Sequence, residues 1–416
     1  MLIHYYQSES FINKLRTGPA GSYMDGFADT LWKAGYAEIT ARRHIWTAQH
    51  LANWAQRQSV PLANMDDAFV ERFKRHLPQC QCPNYGCYDH NGLVAGAVLF
   101  LEQLRRVNVL TSHVDSQCPE KSSLLNTFSQ WMRVNRNISE ATLYNYSLAV
   151  RDLLRAMGDD PSCYDAQRLR SFVLKQSSHC GRAKAKTMVT ALRAFLRFLI
   201  SEGLCPLGLD AAIPTIAYWH LSSLPQYLQT EEVEKVVNAC NPNTAVGIRD
   251  RAILLLLARL ALRAGDIVRL RLDDIDWTEG SIRVCGKGRR EDRLPLLQEV
   301  GEAIAAYVTG SRPSADSATL FLRSRAPFRG FVSHCAVSVI VKKAMRKAGI
   351  TCPVRGAAHL LRHSAATAML REGASLQDIA VVLRHRSIET TSIYAKVDVL
   401  ALREIAQPWP EEVDLC

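Results

Sequence analysis

The stretch His359-Leu360-Leu361-Arg362-His363 places two histidines and an arginine in an otherwise apolar helix. Residues three positions apart share one helix face, so His359 and Arg362 lie side by side. The chain continues to a second polar cluster around His385, and Tyr394 follows nine residues later. Each of these side chains alone is more often part of a core or a turn. Together they indicate a site that needs cations, imidazoles and a phenol.

Two stretches upstream carry further cations. Arg263 directly follows an apolar helix that we predict to end at Leu262, and Asp266 is placed three residues on, where it could orient the guanidinium. Lys287 stands between two glycines, at the tip of a β-hairpin predicted around residues 281–295. The glycine-flanked lysine alone predicts only an ordinary turn.

In this order and spacing, the four stretches resemble the tyrosine recombinases, the family of phage integrases and Xer-type enzymes. The resemblance is close over residues 225–400, and residues 120–205 are similar to the helical core-binding domain of the family. It implies six active-site positions and one acidic support. These are Arg263, Lys287, His359, Arg362, His385 and Tyr394, with Asp266 as the support.

The sequence departs from the family pattern at two places. Leu260-Ala261 stands where the family usually has Thr-Gly before the first arginine. Arg384 and Arg386 flank His385 where the family often has Gly and Ser. We expect both to contact DNA phosphates; the alternative is that they raise the barrier to protonating His385.

The resemblance implies attack on DNA by a tyrosine. Tyr394 would attack a phosphodiester and form a 3′-phosphotyrosine, which stores the bond energy for rejoining. Arg263 and Arg362 would bind the non-bridging oxygens of the pentacovalent dianion, since a guanidinium can bind two oxygens at once.

Proton transfer completes this chemistry. A phenol with a pKa near ~10 needs a base, for which His359 is the candidate. His385 is the candidate donor to a phosphate oxygen, and Lys287 the candidate acid for the leaving 5′ oxygen. No ATP or metal is required for catalysis.

Composition agrees with a polyanionic partner. Fifty-one Lys and Arg against forty Asp and Glu give a net charge of +11, which favours nucleic acid but is shared by other classes of protein. The longest apolar run is interrupted by Arg259, so we expect no membrane span. No secretory signal is recognised, and the twelve cysteines are interpreted as thiols. We therefore expect a cytoplasmic, nucleoid-associated protein.

Three domains are predicted, over residues 1–115, 120–205 and 225–416, because stretches rich in Ser, Asp and Pro separate them. The third combines helices with a small β-hairpin or sheet, and the first two are all-α and DNA-binding, so the class is mainly α with α+β in the catalytic domain. The first two domains also resemble each other. Matching positions are 102 residues apart near the start of the two domains and 95 residues apart near their end, so the first copy holds about seven extra residues between these points.

Basic residues occur near comparable helix starts in both copies and are the predicted DNA contacts of these domains. They are Arg42, Arg43, Arg182, Lys184 and Lys186.

The extra residues of the first copy contain a candidate zinc site. Its predicted ligands are Cys80, Cys82, Cys87 and His90, with His76 upstream. The uneven spacing is unlike that of common zinc fingers, and an ordinary turn remains an alternative.

The favoured function is recombination that integrates, excises or resolves a mobile DNA segment. The resemblance implies a homotetramer on two double-stranded DNA sites, with an accessory recombinase or DNA-bending proteins as further partners. One alternative is a type IB topoisomerase or hairpin-forming resolvase using the same residues. Another is a DNA-binding regulator without chemistry, which would be expected to lack one of the arginines or the tyrosine.

Overall fold

The computed structural model describes residues 2–83, 85, 90–110, 123–217, 224–286, 291–353, 356–398 and 402–403. These residues are mostly helical, with a three-stranded antiparallel sheet, which confirms the predicted fold class. The chain divides into two compact units, Met1–Thr111 with Leu224–Cys416, and Ser112–Ser223. Within the described ranges, every helix is too short or too polar to span a bilayer.

All the regular secondary structure described in the amino-terminal part of the first unit is helical. It contains α1 (Glu9–Thr17), α2 (Gly21–Lys33), α3 (Glu38–Arg57), α4 (Asp67–His76) and α5 (His90–Arg106), with 3-10 turns at Leu2–His4, Leu62–Asn64 and Leu77–Gln79. α3 packs along α5, and buried side chains such as Phe27, Leu51 and Phe100 form one apolar cluster. Asp66 begins α4 by accepting a hydrogen bond from the backbone N–H of Phe69.

The second unit contains four helices. They are α6 (Ser123–Arg136), α7 (Glu140–Met157), α8 (Ala166–Ser178) and α9 (Arg182–Ser201), with 3-10 turns at Pro161–Cys163 and Leu209–Ala212. Ser139 caps α7 by accepting from the N–H of Thr142. The predicted apolar face of α9 is buried against α7 and α6.

Helices α2–α5 and α6–α9 follow one another in the same order, as the weak sequence repeat predicts. α2 and α6 begin at residues 21 and 123, and α5 and α9 end at residues 106 and 201, which reproduces both offsets. The connections differ, because residues 77–89 separate α4 from α5 whereas residues 179–181 separate α8 from α9. The additional residues therefore lie in the segment that carries Cys80 and Cys82.

The carboxyl-terminal part of the first unit combines helices with the sheet. Its helices are α10 (Thr230–Asn238), α11 (Ala245–Ala258), α12 (Ala264–Arg269), α13 (Gln298–Gly310), α14 (Cys335–Lys347), α15 (Ala357–Arg371) and α16 (Leu376–Val382), with 3-10 turns at Leu272–Asp274, Ile388–Thr390 and Ser392–Val397. Its strands are β1 (Ile275–Asp276), β2 (Ser281–Cys285) and β3 (Glu291–Pro295), in the order β1-β2-β3. The β2–β3 pairing confirms the predicted hairpin; β1 was not predicted.

α11 is the centre of this part. It packs against α13 and α15, and its residues from Ala252 to Leu257 are fully buried. The helix ends at Ala258 and not at the predicted Leu262, because Ala261 adopts a left-handed backbone conformation with φ of 48°. Arg263 then takes an extended conformation and begins α12. This break brings the arginine out of the apolar helix and into the site.

Three large apolar clusters lie within residues 2–104, 125–213 and 228–361. The backbone N–H of Phe328 donates to the carbonyl of Ala34 at 3.1 Å, so the two parts of the first unit are in contact. Residues 111–122 and 218–223 lie outside the described residues. The predicted boundaries of three domains, at 1–115, 120–205 and 225–416, therefore remain a prediction.

Candidate active site

α15 carries three of the polar side chains of the site. His359, Arg362 and His363 occupy adjacent positions on this helix, and the two imidazole rings lie 6.3 Å apart. His359 is exposed, whereas Arg362 is 3% exposed and points into the protein. The helix is apolar on its remaining faces because it packs against α11 and α14.

Backbone carbonyls accept hydrogen bonds from Arg263 and Arg362, the two arginines that are predicted to bind the phosphate oxygens (the clamp arginines). Arg362 donates to the carbonyls of Ala261 and Leu383, and Arg263 donates to those of Leu383 and Arg384 at 3.3 and 3.0 Å. Carbonyl acceptors orient a guanidinium without neutralising it. Burial and the charge of Arg263 lower the pKa of Arg362 to about 9, and burial also lowers the pKa of Arg263. A bound anion would relieve both effects.

Two residues other than glycine have a left-handed backbone conformation and carry carbonyl groups that accept these hydrogen bonds. Ala261 has φ of 48° and Arg384 has φ of 52°, a conformation that costs a residue with a Cβ about 1–2 kcal/mol. Both occupy positions where the family usually has glycine. The turns therefore keep the conformation that glycine favours, although the residues differ.

Asp266 is paired differently from what the sequence predicts. Its carboxylate is 2% exposed and accepts from Arg384 at 2.5 Å and from Arg269 at 2.7 Å. Asp266 therefore orients Arg384, and the prediction that it orients Arg263 is wrong. The side chain of Arg384 is 4% exposed and forms an internal ion pair with Asp266, and its contact with DNA remains a prediction.

Tyr394 lies in the 3-10 turn Ser392–Val397 and is 1% exposed. Its hydroxyl lies 2.8 Å from Nδ1 of His363. Burial raises the pKa of Tyr394 to about 12 and, together with the charges of His359 and Arg362, lowers that of His363 to about 4. Among the described residues the phenol is bonded to His363, a residue that the sequence reasoning did not select, rather than to His359.

His385 is oriented by a buried threonine. Its Nδ1 lies 2.7 Å from Oγ1 of Thr391, which is fully buried. Burial and the charges of Arg362 and Arg263 lower the pKa of His385 to about 4, so the ring is neutral at pH 7. When the threonine hydroxyl donates to Nδ1, the ring proton is on Nε2 and is available to an anion.

A cavity of about 330 Å³ opens beside these residues. It is lined by Arg263, Gly286, Asp292, Arg384, His385, Arg386 and Thr390. Gly286 immediately precedes Lys287, which lies outside the described residues, so the role of this lysine stays a prediction. Burial and the charges of Arg362 and Arg263 also lower the pKa of His359. Three guanidiniums, one imidazole and one carboxylate thus line a space large enough for a phosphate.

The other predicted contact residues lie on helix surfaces. Arg182, Lys184 and Lys186 are exposed in the first turns of α9. Arg42 and Arg43 are exposed on α3, where Arg42 pairs with Glu38 at 2.5 Å. Arg386 is exposed at the cavity. Contact of these residues with DNA remains a prediction.

The predicted zinc ligands are only partly described. Cys87 lies outside the described residues, and His90 is described only as the first residue of α5. Cys80 and Cys82 lie beside His50 and His76.

Comparison with known proteins identifies the family. Residues 226–400 match the model of the phage integrase family. The chain is 36% identical to the integrase/recombinase y4rA of Sinorhizobium fredii, over 98% of this chain and 99% of that protein. The chain belongs to the phage integrase family of tyrosine recombinases. It is therefore an enzyme of site-specific DNA recombination, as predicted.

Two further matches show how far the similarity extends. The tyrosine recombinase XerD of Listeria monocytogenes is 28% identical over 68% of this chain and 97% of that protein. This tyrosine recombinase also has the fold of the XerH recombinase, which was solved in a post-cleavage complex with its difH substrate. The TM-score is 0.55 and the sequence identity 19%, over 82% of this chain and 95% of that one. About a third of the chain thus has no counterpart in XerD but is matched in y4rA.

Proposed function

We propose that Tyr394 is the nucleophile of the recombination reaction. The bond from phosphorus to the 5′ oxygen breaks as a bond to the phenol oxygen forms, which leaves a 3′-phosphotyrosine and a free 5′ hydroxyl. The observation that carries this proposal is the position of the Tyr394 hydroxyl, 2.8 Å from His363 and within the field of Arg362. The energy of the broken ester is kept in the new one, so rejoining needs no ATP.

Arg263 and Arg362 bind the non-bridging oxygens of the scissile phosphate in this proposal. Both are tethered through neutral carbonyls, so each retains its positive charge for the transition-state dianion. Charge that develops during reaction is best stabilised by donors that are already oriented in a site with little water. The orientation of the two arginines by the 383–384 turn provides such preorganisation.

In the conformation described here, before the phenol reaches the phosphate, His363 is the hydrogen-bond partner of Tyr394. The lowered pKa of this imidazole keeps it neutral at pH 7 but also makes it a weak base, so His363 positions the phenol and can accept its proton only once the charge of the phosphate is nearby. His359, one helical turn away, is the base that the family resemblance implies, and it can act only if the phenol leaves its bond with His363. His385 donates from Nε2 to a phosphate oxygen, and Lys287 supplies the proton for the 5′ oxygen.

Attack requires that Tyr394 be uncovered first. The residue is 1% exposed and does not line the cavity that holds Arg263 and His385. The segment from Ile388 to Val397 consists of short 3-10 turns, which lose few backbone hydrogen bonds when they move. We propose that DNA binding shifts this segment and brings the phenol to the phosphate.

Double-stranded DNA is the proposed partner. Lambda integrase has been solved as a tetramer bound to a Holliday junction, and a homotetramer on two DNA sites is proposed for this chain as well. Its task is the integration, excision or resolution of a mobile segment, with an accessory recombinase or DNA-bending proteins. Such a role would place the protein at the nucleoid in the cytoplasm.

A plasmid assay tests the proposed function. Two direct repeats of the DNA that flanks the gene are cloned on one supercoiled plasmid and incubated with the protein. We expect excision of the intervening circle by the wild-type chain and no product with Tyr394→Phe, which keeps the ring but lacks the nucleophilic oxygen. Relaxation of the plasmid without exchange would indicate a topoisomerase instead, and binding without either product would indicate a regulator.

A further inference from the structure

Four possible metal ligands converge in the amino-terminal part of the first unit. His50 belongs to α3, His76 is the last residue of α4, and Cys80 and Cys82 lie in the segment between α4 and α5. One side-chain ligand atom from each residue lies within 4.8 Å of the other three. In the described part of the chain this is the only such group of histidine, cysteine and acidic side chains.

The distances between these atoms fit a tetrahedral ion. Sγ of Cys80 lies 3.4 Å from Nε2 of His50, and Sγ of Cys82 lies 3.4 Å from Nε2 of His76. Zinc binds sulfur at about 2.3 Å and nitrogen at about 2.0–2.1 Å, so the sulfur–nitrogen edge of a regular tetrahedron is about 3.6 Å. Both observed pairs come within a few tenths of an ångström of that edge.

The chemistry of the four groups favours zinc over other ions. Two thiolates and two neutral imidazoles are soft and borderline ligands, and no carboxylate belongs to the group, which disfavours calcium and magnesium. Two thiolates would also balance the charge of a divalent cation.

Aromatic rings fix the orientation of both imidazoles. Tyr85 stacks on His50 with ring centroids 4.0 Å apart, and Trp54 stacks on His76 at 5.1 Å. The amide of Asn53 donates to the hydroxyl of Tyr85 at 2.8 Å, which holds the first of these rings. His50 is 1% exposed. His50 is thus shielded, whereas His76, Cys80 and Cys82 are half-buried, and the stacked rings restrict the orientation of the two imidazoles.

We propose that His50, His76, Cys80 and Cys82 bind one structural zinc ion. All four tetrahedral positions are filled by protein, which leaves none for a substrate. The ion joins α3 to the end of α4 and to the long connection that leads to α5. In the second unit the corresponding connection between α8 and α9 is short, over residues 179–181. This ligand set replaces Cys87 and His90 of the sequence-based set by His50 and His76.

Metal content of the full chain tests this site. The chain is purified without chelator, its thiols are kept reduced, and zinc is measured by mass spectrometry. We expect one zinc ion per chain, lost at least tenfold in Cys80→Ser and His50→Gln and retained in Cys163→Ser, whose cysteine is exposed in the other unit. Cys87→Ser and His90→Gln should keep the ion. Loss of zinc in these two variants with retention in His50→Gln would overturn the proposed ligand set.

Cobalt substitution of the wild-type chain keeps the test independent of folding defects. Tetrahedral cobalt(II) with two thiolates should give intense visible d–d bands and a thiolate charge-transfer band in the near ultraviolet. Cys82→His, which retains four ligands, should keep the tetrahedral bands and weaken the charge-transfer band by about half. A wild-type chain that takes up no zinc or cobalt, or gives a weak octahedral spectrum, would refute the site.

Discussion

Replacing Asp266 by asparagine removes the carboxylate that faces the buried guanidinium of Arg384. The substitution preserves the shape of the side chain, so the lost charge is the main change. Nε and Nη1 of Arg384 already have no hydrogen-bond partner among the described residues. Nη2 would lose its charged partner at 2.5 Å, because the amide of asparagine is neutral and has one acceptor oxygen where the carboxylate has two. The guanidinium would then be a buried charge without a counterion.

The expected cost follows from this burial. Removing one partner of a buried ion pair costs about 3–5 kcal/mol. Arg384→Gly should cost less, about 2 kcal/mol, because it removes the cation itself, leaves Asp266 with Arg269, and relieves the left-handed strain of about 1–2 kcal/mol. The double variant should therefore cost little more than Arg384→Gly alone. The two substitutions should be coupled by at least about 2 kcal/mol.

Differential scanning calorimetry of the full chain measures these differences. For a unit of this size, 1 kcal/mol shifts the unfolding temperature by about 2–4 °C, so Asp266→Asn should lower the transition of the catalytic part by roughly 6–20 °C. Arg269→Ala is the matched control, since Arg269 is half exposed and its pair with Asp266 should contribute less than about 1 kcal/mol. A shift below about 2 °C for Asp266→Asn, or strict additivity in the double variant, would show that Asp266 does not balance the buried charge of Arg384.

Three other predictions concern groups that bind or transfer protons. Thr391→Val should slow strand cleavage at least about tenfold, because His385 loses the hydrogen-bond partner that fixes its tautomer. Thr391→Ser keeps the hydroxyl and should retain most of the wild-type rate. An equal loss of rate in both variants would indicate that Thr391 acts through packing alone. Lys287→Ala should regain much activity on a substrate with a 5′-bridging sulfur, whose leaving group needs no proton, and equal defects on both substrates would remove Lys287 from the role of acid. Because the pKa of His363 and of His385 is about 4 in the folded protein and near 6.5 when unfolded, the unfolded state binds more protons between these values. The unfolding free energy should therefore fall as pH drops from 6.5 to 4, by at most about 1 kcal/mol per pH unit for each histidine, and a pH dependence unchanged in His385→Asn would contradict this.

Much of the catalytic part could be predicted because its signals are local. The apolar period, the glycine-flanked lysine and the spacing of His385 and Tyr394 each lie within a short stretch. The hairpin was found in this way, whereas β1, with two residues, is too short to show a pattern. The end of α11 was predicted four residues late, because an apolar run does not reveal a change of backbone conformation.

The contacts within the site depend on packing between distant segments. The bond between His363 and Tyr394 needs α15 and a 3-10 turn to meet, and Asp266 finds Arg384 across 118 positions of sequence. A signal did exist for the turns. Ala261 and Arg384 stand where the family usually has glycine, and both have positive φ. The positions at which this sequence lacks the glycine of the family therefore mark the two strained residues whose carbonyls accept hydrogen bonds from Arg263 and Arg362.

The metal site shows the same limit. Cys80 and Cys82 lie two positions apart in the sequence and were predicted as ligands. His50 lies thirty positions before Cys80, on a helix whose pattern indicates only an apolar face. Its packing against the α4–α5 connection could not be read from spacing.

The proposed recombination reaction depends on a covalent bond between Tyr394 and DNA. A nicked duplex that carries the recombination site loses a short fragment after cleavage, so rejoining is blocked and the intermediate accumulates. Wild-type protein should form an adduct that survives denaturation, and peptide mass spectrometry should place the nucleotide on Tyr394. Tyr394→Phe should bind the same DNA and form none. An adduct of undiminished yield in Tyr394→Phe, or one mapped to another residue, would contradict the account.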